Sequence, residues 1–233
     1  MNKKIIIILV EGDTDEAIIN TLLADDKGFE IHVVRSDLFT QYNNQSIKSR
    51  IGDFIKNRVL RPYKLKKTDI LSIIQISDID GIYVSDNNVV IDSNVSGVSY
   101  LENSIKVANE KKKNEIISRN SDKVSKINQV ITTTILDCEY KLFFFSCNLE
   151  HILFDELNLT QNQKEELVFK YVDENDINSI QLHLEKIALK KSSNYFDNDY
   201  QNSWDQMRNS NSNIRNTNVN LLKTYISNIK EGV

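Results

Sequence analysis

Apolar residues in this chain come in two kinds of run. One kind is short and unbroken: residues 4–10 (KIIIILV), 70–76 (ILSIIQI) and 139–145 (EYKLFFF). Runs of β-branched and aromatic residues without polar alternation mark strands covered on both faces, as in a parallel sheet. The other kind recurs every three or four residues, the spacing of an amphipathic helix. Ile18, Ile19, Leu22 and Leu23 form one such stripe; Ile47, Ile51, Phe54, Ile55 and Val59 form a second, ended near Pro62. With residues 29–34 as a further strand, the opening third reads β-α-β-α-β, implying parallel strands joined by right-handed crossovers.

After Gly81 the pattern changes. Residues 82–84 and 89–91, around a polar turn at 85–88, read as a small hairpin, and 100–119 and 122–134 as two helices. These form an insertion, about 82–134, ahead of the fourth strand. Asn148 is placed to cap a helix over 149–157. Farther on, helices are expected over 161–171, 177–189 and about 204–229, with a Ser- and Asn-rich stretch at 190–202 between the last two. The expected architecture is an α/β core with a mainly parallel sheet flanked by helices (1–157) and a helical accessory region (158–233) packed on it.

The unbroken runs end in acids. Glu11, Asp13 and Asp15 follow the run at 4–10, Asp78 and Asp80 the run at 70–76, and Glu150 lies just past the run at 139–145. The carboxyl ends of parallel strands share one edge, where open α/β sheets place their chemistry. Carboxylates gathered there repel one another unless a cation neutralises them, so the spacing points to a divalent-metal site. Gly12 allows a sharp turn after Glu11, and Asp13 with Glu16 has the spacing of a capping box.

The segments VEGDTDE (10–16) and SDIDG (77–81), separated by one α/β unit, resemble the TOPRIM domain of topoisomerases, primases and nucleases of the overcoming-lysogenization-defect type. The resemblance covers roughly the first 150 residues. It implies a Rossmann-like core, with Glu11 as acid, base or metal ligand, Asp78 and Asp80 as ligands of Mg²⁺ or Mn²⁺, and Asp15 as the extra acid of the nuclease branch. Glu150, at a helix start, is the candidate for that branch's third motif, and Lys190, with Lys191 beside it, for the lysine that neutralises the scissile phosphate. A helix C-terminus also favours cations on its own account. The implied activity is metal-dependent endonucleolytic hydrolysis of DNA or RNA. By analogy with small proteins of this kind, it would serve as a toxin-like anti-phage effector beside a separate ATPase partner, with a homodimer compatible with the helical tail. SDIDG also resembles the DxDG of haloacid-dehalogenase-type phosphatases, although that family carries it on the first strand of its core. A non-catalytic module that binds metal or a partner is the other alternative.

Bulk properties limit these readings. The chain of 233 residues has a net charge of −4, so nucleic acid must meet local basic patches or a bound metal. Lys64–Lys67 and Lys111–Lys113 are candidate patches, and Trp204, Tyr195 and Tyr200 candidate stacking residues. His151 and His183 are candidate bases, with structural roles as the competing reading. Cys138 and Cys147 lack metal-ligand spacing and a disulfide framework, consistent with a reducing cytoplasm. The apolar start halts at an acid after Val10, unlike a signal peptide. No stretch approaches the ~20 apolar residues of a membrane span, and no phosphate-binding glycine–lysine loop is present.

Overall fold

The chain is described by a computed structural model covering residues 4–26, 28–40, 45–188, 195–213 and 215–231. Its first part follows the expected alternation: β1 (Ile5–Val10), α1 (Asp13–Leu22), β2 (Glu30–Arg35), α2 (Ile47–Ile55) and β3 (Ile70–Asp78). α2 ends in a wider turn over Lys56–Leu60, where the Arg61 amide donates to the Lys56 carbonyl at 3.0 Å. Every residue of β1 is fully buried, the reason its pattern shows no alternation. β1 pairs in parallel with β2 on one side and β3 on the other.

The inserted segment folds differently from the expectation. There is no 82–84/89–91 hairpin. Instead β4 (Val89–Ile91), β5 (Val98–Tyr100) and β6 (Ile105–Val107) form a separate small sheet in the order β4-β6-β5. The two expected helices are one, α3 (Glu110–Val130). Nothing between residues 119 and 122 breaks a helix, and the polar run there is carried through its middle. Ile116 packs with Val84, Val89, Ile105 and Val107 as a satellite core, while Ile127 and Val130 at the other end join the main core.

The chain then returns through β7 (Thr134–Ile135) to β8 (Cys138–Phe145), which pairs in parallel with β3. The main sheet has the order β2-β1-β3-β8-β7, with β7 the one antiparallel member. A mainly parallel α/β sheet flanked by helices is therefore present. Next come α4 (Leu149–Phe154), α5 (Gln161–Glu174), α6 (Ile177–Ile187), α7 (Phe196–Asn209) and α8 (Leu222–Glu231). α5 and α6 pack on α1, and Trp204, Leu222 and Ile226 belong to the same apolar cluster as β1 and β3.

The expected helix over 204–229 is replaced by α7, a loop and α8, and the reason is physical. β7 is only two residues long, so the carboxyl half of β8 would expose an unpaired strand edge. The loop covers it. Asn218 Oδ1 accepts from the Phe144 amide (2.8 Å), Thr217 Oγ1 donates to the Phe144 carbonyl (2.7 Å), and the Asn216 carbonyl accepts from the Ser146 amide (3.0 Å). Tyr200 does the same at Leu142, donating its hydroxyl to the carbonyl at 2.9 Å. Asn213, Asn216, Thr217 and Asn218 are accordingly buried: polar residues serve here as substitutes for a neighbouring strand.

Candidate functional site

β1, β3 and β8 run in parallel and stop at one edge, and the residues just past their ends meet there. Glu11 follows β1, Asp78 ends β3, Asp80 lies two residues on, and Glu150 sits in the first turn of α4 after β8. The DxD turn is pinned to β8: the amides of Ile79, Asp80 and Gly81 donate to the carbonyls of Phe145 (2.9 Å), Cys147 (3.0 Å) and Ser146 (3.2 Å). Asp80 adopts φ 50° and Gly81 φ 62°, the left-handed region that Asp tolerates and Gly favours. A side chain at position 81 would meet Asn213 Oδ1 at 1.8 Å from its Cβ, so only glycine fits there.

Asp15 reaches the cluster from α1. Gly12 is the N-cap residue, and the Asp15 carboxylate accepts from its amide at 2.9 Å. The capping expected of Asp13 is thus performed by Asp15, while Asp13 turns outward to pair with Arg35. Asp15 Oδ1 and Asp78 Oδ1 are buried without a hydrogen-bond partner among the described residues. Buried carboxyl oxygens left open are costly.

The carboxyl groups respond to this confinement. Burial, opposed by Lys123 and reinforced by Asp80, pushes Glu11 up to about 8. Burial likewise raises Asp15 to about 7, with the Gly12 amide opposing and Glu150 contributing. Burial, then Asp15, Glu11, Asp80 and Glu150, lift Asp78 well above the usual carboxylate range. Asp78 feels all four of the other acids and is the centre of the cluster. Ser77 donates its hydroxyl to Glu11, the orienting contact that its place beside the DxD allows.

Two lysines enter this group of acids. Lys123, on α3 and 2% exposed, lies 2.7 Å from Asp80 Oδ2 and 4.0 Å from Glu11 Oε1 and donates to the Asp78 carbonyl. Burial would discharge it, but Asp80 and Glu11 outweigh burial and keep it protonated. Lys164, on α5, lies 2.9 Å from Glu150 Oε2, while Thr14 donates to Glu150 Oε1 at 3.4 Å. Neither lysine was expected from the sequence. A signal for Lys123 was present: the buried stripe of α3 is Ile116, Asn120, Lys123, Ile127 and Val130, so the lysine occupies a core position of an amphipathic helix. Lys164 carries a weaker signal, lying one turn before Val168, the buried residue of α5.

Glu11, Asp15, Asp78, Asp80 and Glu150 are brought together; the other candidates are not. Lys190 and Lys191 lie outside the described residues. Lys64, Lys66 and Lys67 are exposed ahead of β3, at the sheet edge opposite the acids. Lys111 and Lys112 line, with Ile116 and Arg119, a groove of about 660 Å³ on α3. His151 is buried in α4, and burial lowers it to about 4, so it is neutral and unsuited to act as a base near pH 7. His183 Nδ1 is 2.8 Å from the Tyr171 hydroxyl. Trp204 and Tyr200 are buried in the core, which removes them as stacking residues, while Tyr195 is 73% exposed.

The donors are hard oxygen ligands of the kind that hold Mg²⁺ or Mn²⁺. Even so, no three Asp, Glu, His or Cys side chains among the described residues converge as a ready-made coordination shell. The chemistry of the donor set fits a divalent ion, and the Lys123 ammonium stands among the carboxylates that would surround it. Comparison of the chain with protein-family models, curated proteins and solved structures returned no match. The site's meaning therefore rests on its own geometry.

Proposed function

We propose that this protein is a divalent-metal-dependent nuclease of TOPRIM type that hydrolyses phosphodiester bonds in DNA or RNA. The observation that carries this reading is the convergence of Glu11, Asp15, Asp80 and Glu150 on Asp78 from three parallel strand ends and one helix. Five carboxyl groups at one edge, with open, buried oxygens on Asp15 and Asp78, have little structural purpose, because each destabilises the others. A bound Mg²⁺ or Mn²⁺ would offset that repulsion and supply charge for the pentacovalent phosphate and an acidified water.

The protein's own groups have distinct parts in this reading. Asp78, Asp80 and Glu11 hold the ion beside the strand ends, and Asp15 and Glu150 extend the donor set on the α1 side. Glu11, which the Ser77 hydroxyl orients at the open side of the cluster, is the candidate general acid or base. Its side chain is 17% exposed and that of Asp80 30%, against 2% for Glu150. The cluster therefore opens to solvent at Glu11 and Asp80, and the substrate phosphate approaches there. A role as an anti-phage effector working beside a separate ATPase is part of the same proposal, and rests on the resemblance alone.

The test incubates the purified protein with supercoiled plasmid, single-stranded DNA and total tRNA, with Mg²⁺ or Mn²⁺ against EDTA. Metal-dependent cleavage, lost in Asp78→Ala and Glu11→Ala, is the expected result, and the substrate cut distinguishes DNA from RNA. Absence of cleavage in every arm, with and without an ATPase partner, would sink the nuclease reading in favour of a non-catalytic module. One observation favours that alternative: the cluster already carries internal counter-charges in Lys123 and Lys164.

A further inference from the structure

We propose that Lys123 is the resident cation of the carboxylate cluster, and that a divalent ion enters by exchange with its ammonium group. This inference rests on the reading of the cluster as a divalent-metal site.

The geometry is specific. Nζ of Lys123 lies among all three of the residues that would hold the ion at the strand ends, in contact with the Asp80 carboxylate and the Asp78 main chain. It pairs with the Asp80 carboxylate at 2.7 Å, donates to the Asp78 carbonyl, and stands 4.0 Å from Glu11 Oε1. The side chain is 2% exposed, far below what a lysine accepts without a dedicated partner. The Asp80 carboxylate is thus engaged by an ammonium with directional N–H donors. An ammonium and a divalent ion in contact with the same Asp80 oxygen repel each other strongly, so the ammonium must give up that oxygen for the ion to take it.

The helix that carries Lys123 is built to let the side chain leave while staying in place. One turn earlier, Arg119 Nη2 donates to the Asp80 carbonyl at 3.0 Å and Nη1 to the Tyr100 hydroxyl at 2.7 Å. These anchors use a backbone oxygen and a neutral phenol. They do not depend on the charge of the cluster, and they persist when the carboxylates turn to a metal. Exchange thus requires only rotation of a flexible four-carbon stem. The inserted segment, whose small sheet and helix have no counterpart in a bare β-α-β core, becomes the element that sets how readily the site loads.

The test measures Mn²⁺ binding directly, by the loss of the free-ion electron paramagnetic resonance signal, on the full chain. Wild type, Lys123→Met, Lys112→Met (a half-buried lysine of the same helix, paired with Glu115) and Asp78→Asn are compared at pH 8. The expected result is at least tenfold tighter Mn²⁺ binding in Lys123→Met, unchanged binding in Lys112→Met, and loss in Asp78→Asn. A second measurement uses wild type alone, so it survives misfolding of any variant. Lys123 should be protected from an amine-acetylating reagent without metal and become labelled at saturating Mn²⁺, as read by peptide mass spectrometry. Unchanged or weaker binding in folded Lys123→Met, or continued protection of Lys123 in the Mn²⁺-saturated protein, overturns the exchange. Mn²⁺ binding by neither wild type nor Lys123→Met overturns both the exchange and the metal-site reading. Tight binding in Lys123→Met with no cleavage of any nucleic acid supports the exchange and removes only the nuclease.

Discussion

Lys123 and Lys164 pair with different acids of one cluster, and their settings differ. Lys123 comes from the inserted helix and is sealed at 2% exposure against Glu11, Asp78 and Asp80; Lys164 comes from the helical C-terminal part and pairs with Glu150 at 23% exposure. A charge pair inside the protein depends on both members, because either one alone is left buried and unpaired. A partner that water reaches loses little when its lysine is removed. The cluster therefore has one half, around the DxD turn, where the lysine is sealed and the acids meet water, and another, around Glu150, where the acid is sealed and the lysine meets water. The difference teaches that a lysine's distance from a carboxylate says less about its weight than the carboxylate's access to solvent does.

The largest expected effects fall on the acid both halves share. Asp78→Asn keeps the shape of the side chain and removes its charge, so cleavage should fall by at least ~10³-fold, about 4 kcal/mol of transition-state stabilisation. The metal-free protein, relieved of one repelling carboxylate, should melt no lower than wild type by circular dichroism. A large drop in melting temperature would mean that Asp78 is structural and that the cluster has been misread.

Next in size is the contrast between the lysines. Without metal, Lys164→Met should lose about 3–5 kcal/mol of stability in urea unfolding by stranding the buried Glu150, and Lys123→Met only about 1 kcal/mol, because Asp80 and Glu11 reach solvent. Saturating Mn²⁺ should offset the loss in Lys123→Met. Equal costs for the two variants would break the comparison outright.

The pH dependence is a subtler probe. Glu11 rises from 4.5 to about 8 on folding and Asp15 from 3.8 to about 7, so the folded state keeps protons that the unfolded chain has already released. By linkage, the stability this provides is complete below about pH 4, falls between about pH 4.5 and 8, and is absent above. Melting of the metal-free protein should therefore decline across that window and level off beyond it. Mn²⁺ at 100 times its dissociation constant adds about 2.7 kcal/mol, or roughly 5–11 °C for a chain of this size, most clearly at the alkaline end. A melting temperature flat from pH 5 to 8 would contradict the raised carboxyl groups. The smallest effect is expected at His151, buried, neutral and outside the cluster: His151→Gln should change the cleavage rate by less than about threefold and leave its pH profile in place.

Much of the core and site was legible in the chain. The unbroken runs of β1, β3 and β8 marked a sheet covered on both faces, and the acids that end them were placed at one edge by parallelism alone. Asp15 and Glu150, weaker as sequence signals, followed because the first turn of a helix after a strand end faces the same place. Other features depended on partners far away in sequence. α3 was divided in two because a polar run resembles a linker when its buried stripe contains Asn120 and Lys123 in place of apolar residues. The loop after α7 was read as helix because buried Asn216, Thr217 and Asn218 look like surface residues until the open edge of β8 is seen beside them. Asp13 lost its expected capping part because the helix begins one residue earlier, with Gly12 as its N-cap and Asp15 reaching back to it, and Asp13 pairs with Arg35 on a neighbouring strand end.

Local pattern was sufficient wherever a property repeats along the chain: strand and helix periods, the direction of the sheet, and the edge at which charge collects all follow from the spacing of neighbouring residues. Tertiary structure alone decided which lysines meet those acids. Lys123 lies 43 residues from Asp80, and no local rule relates the two. Their contact arises from the way the inserted helix docks, and a buried charge is set by the whole of its surroundings, not by the residues beside it in the sequence.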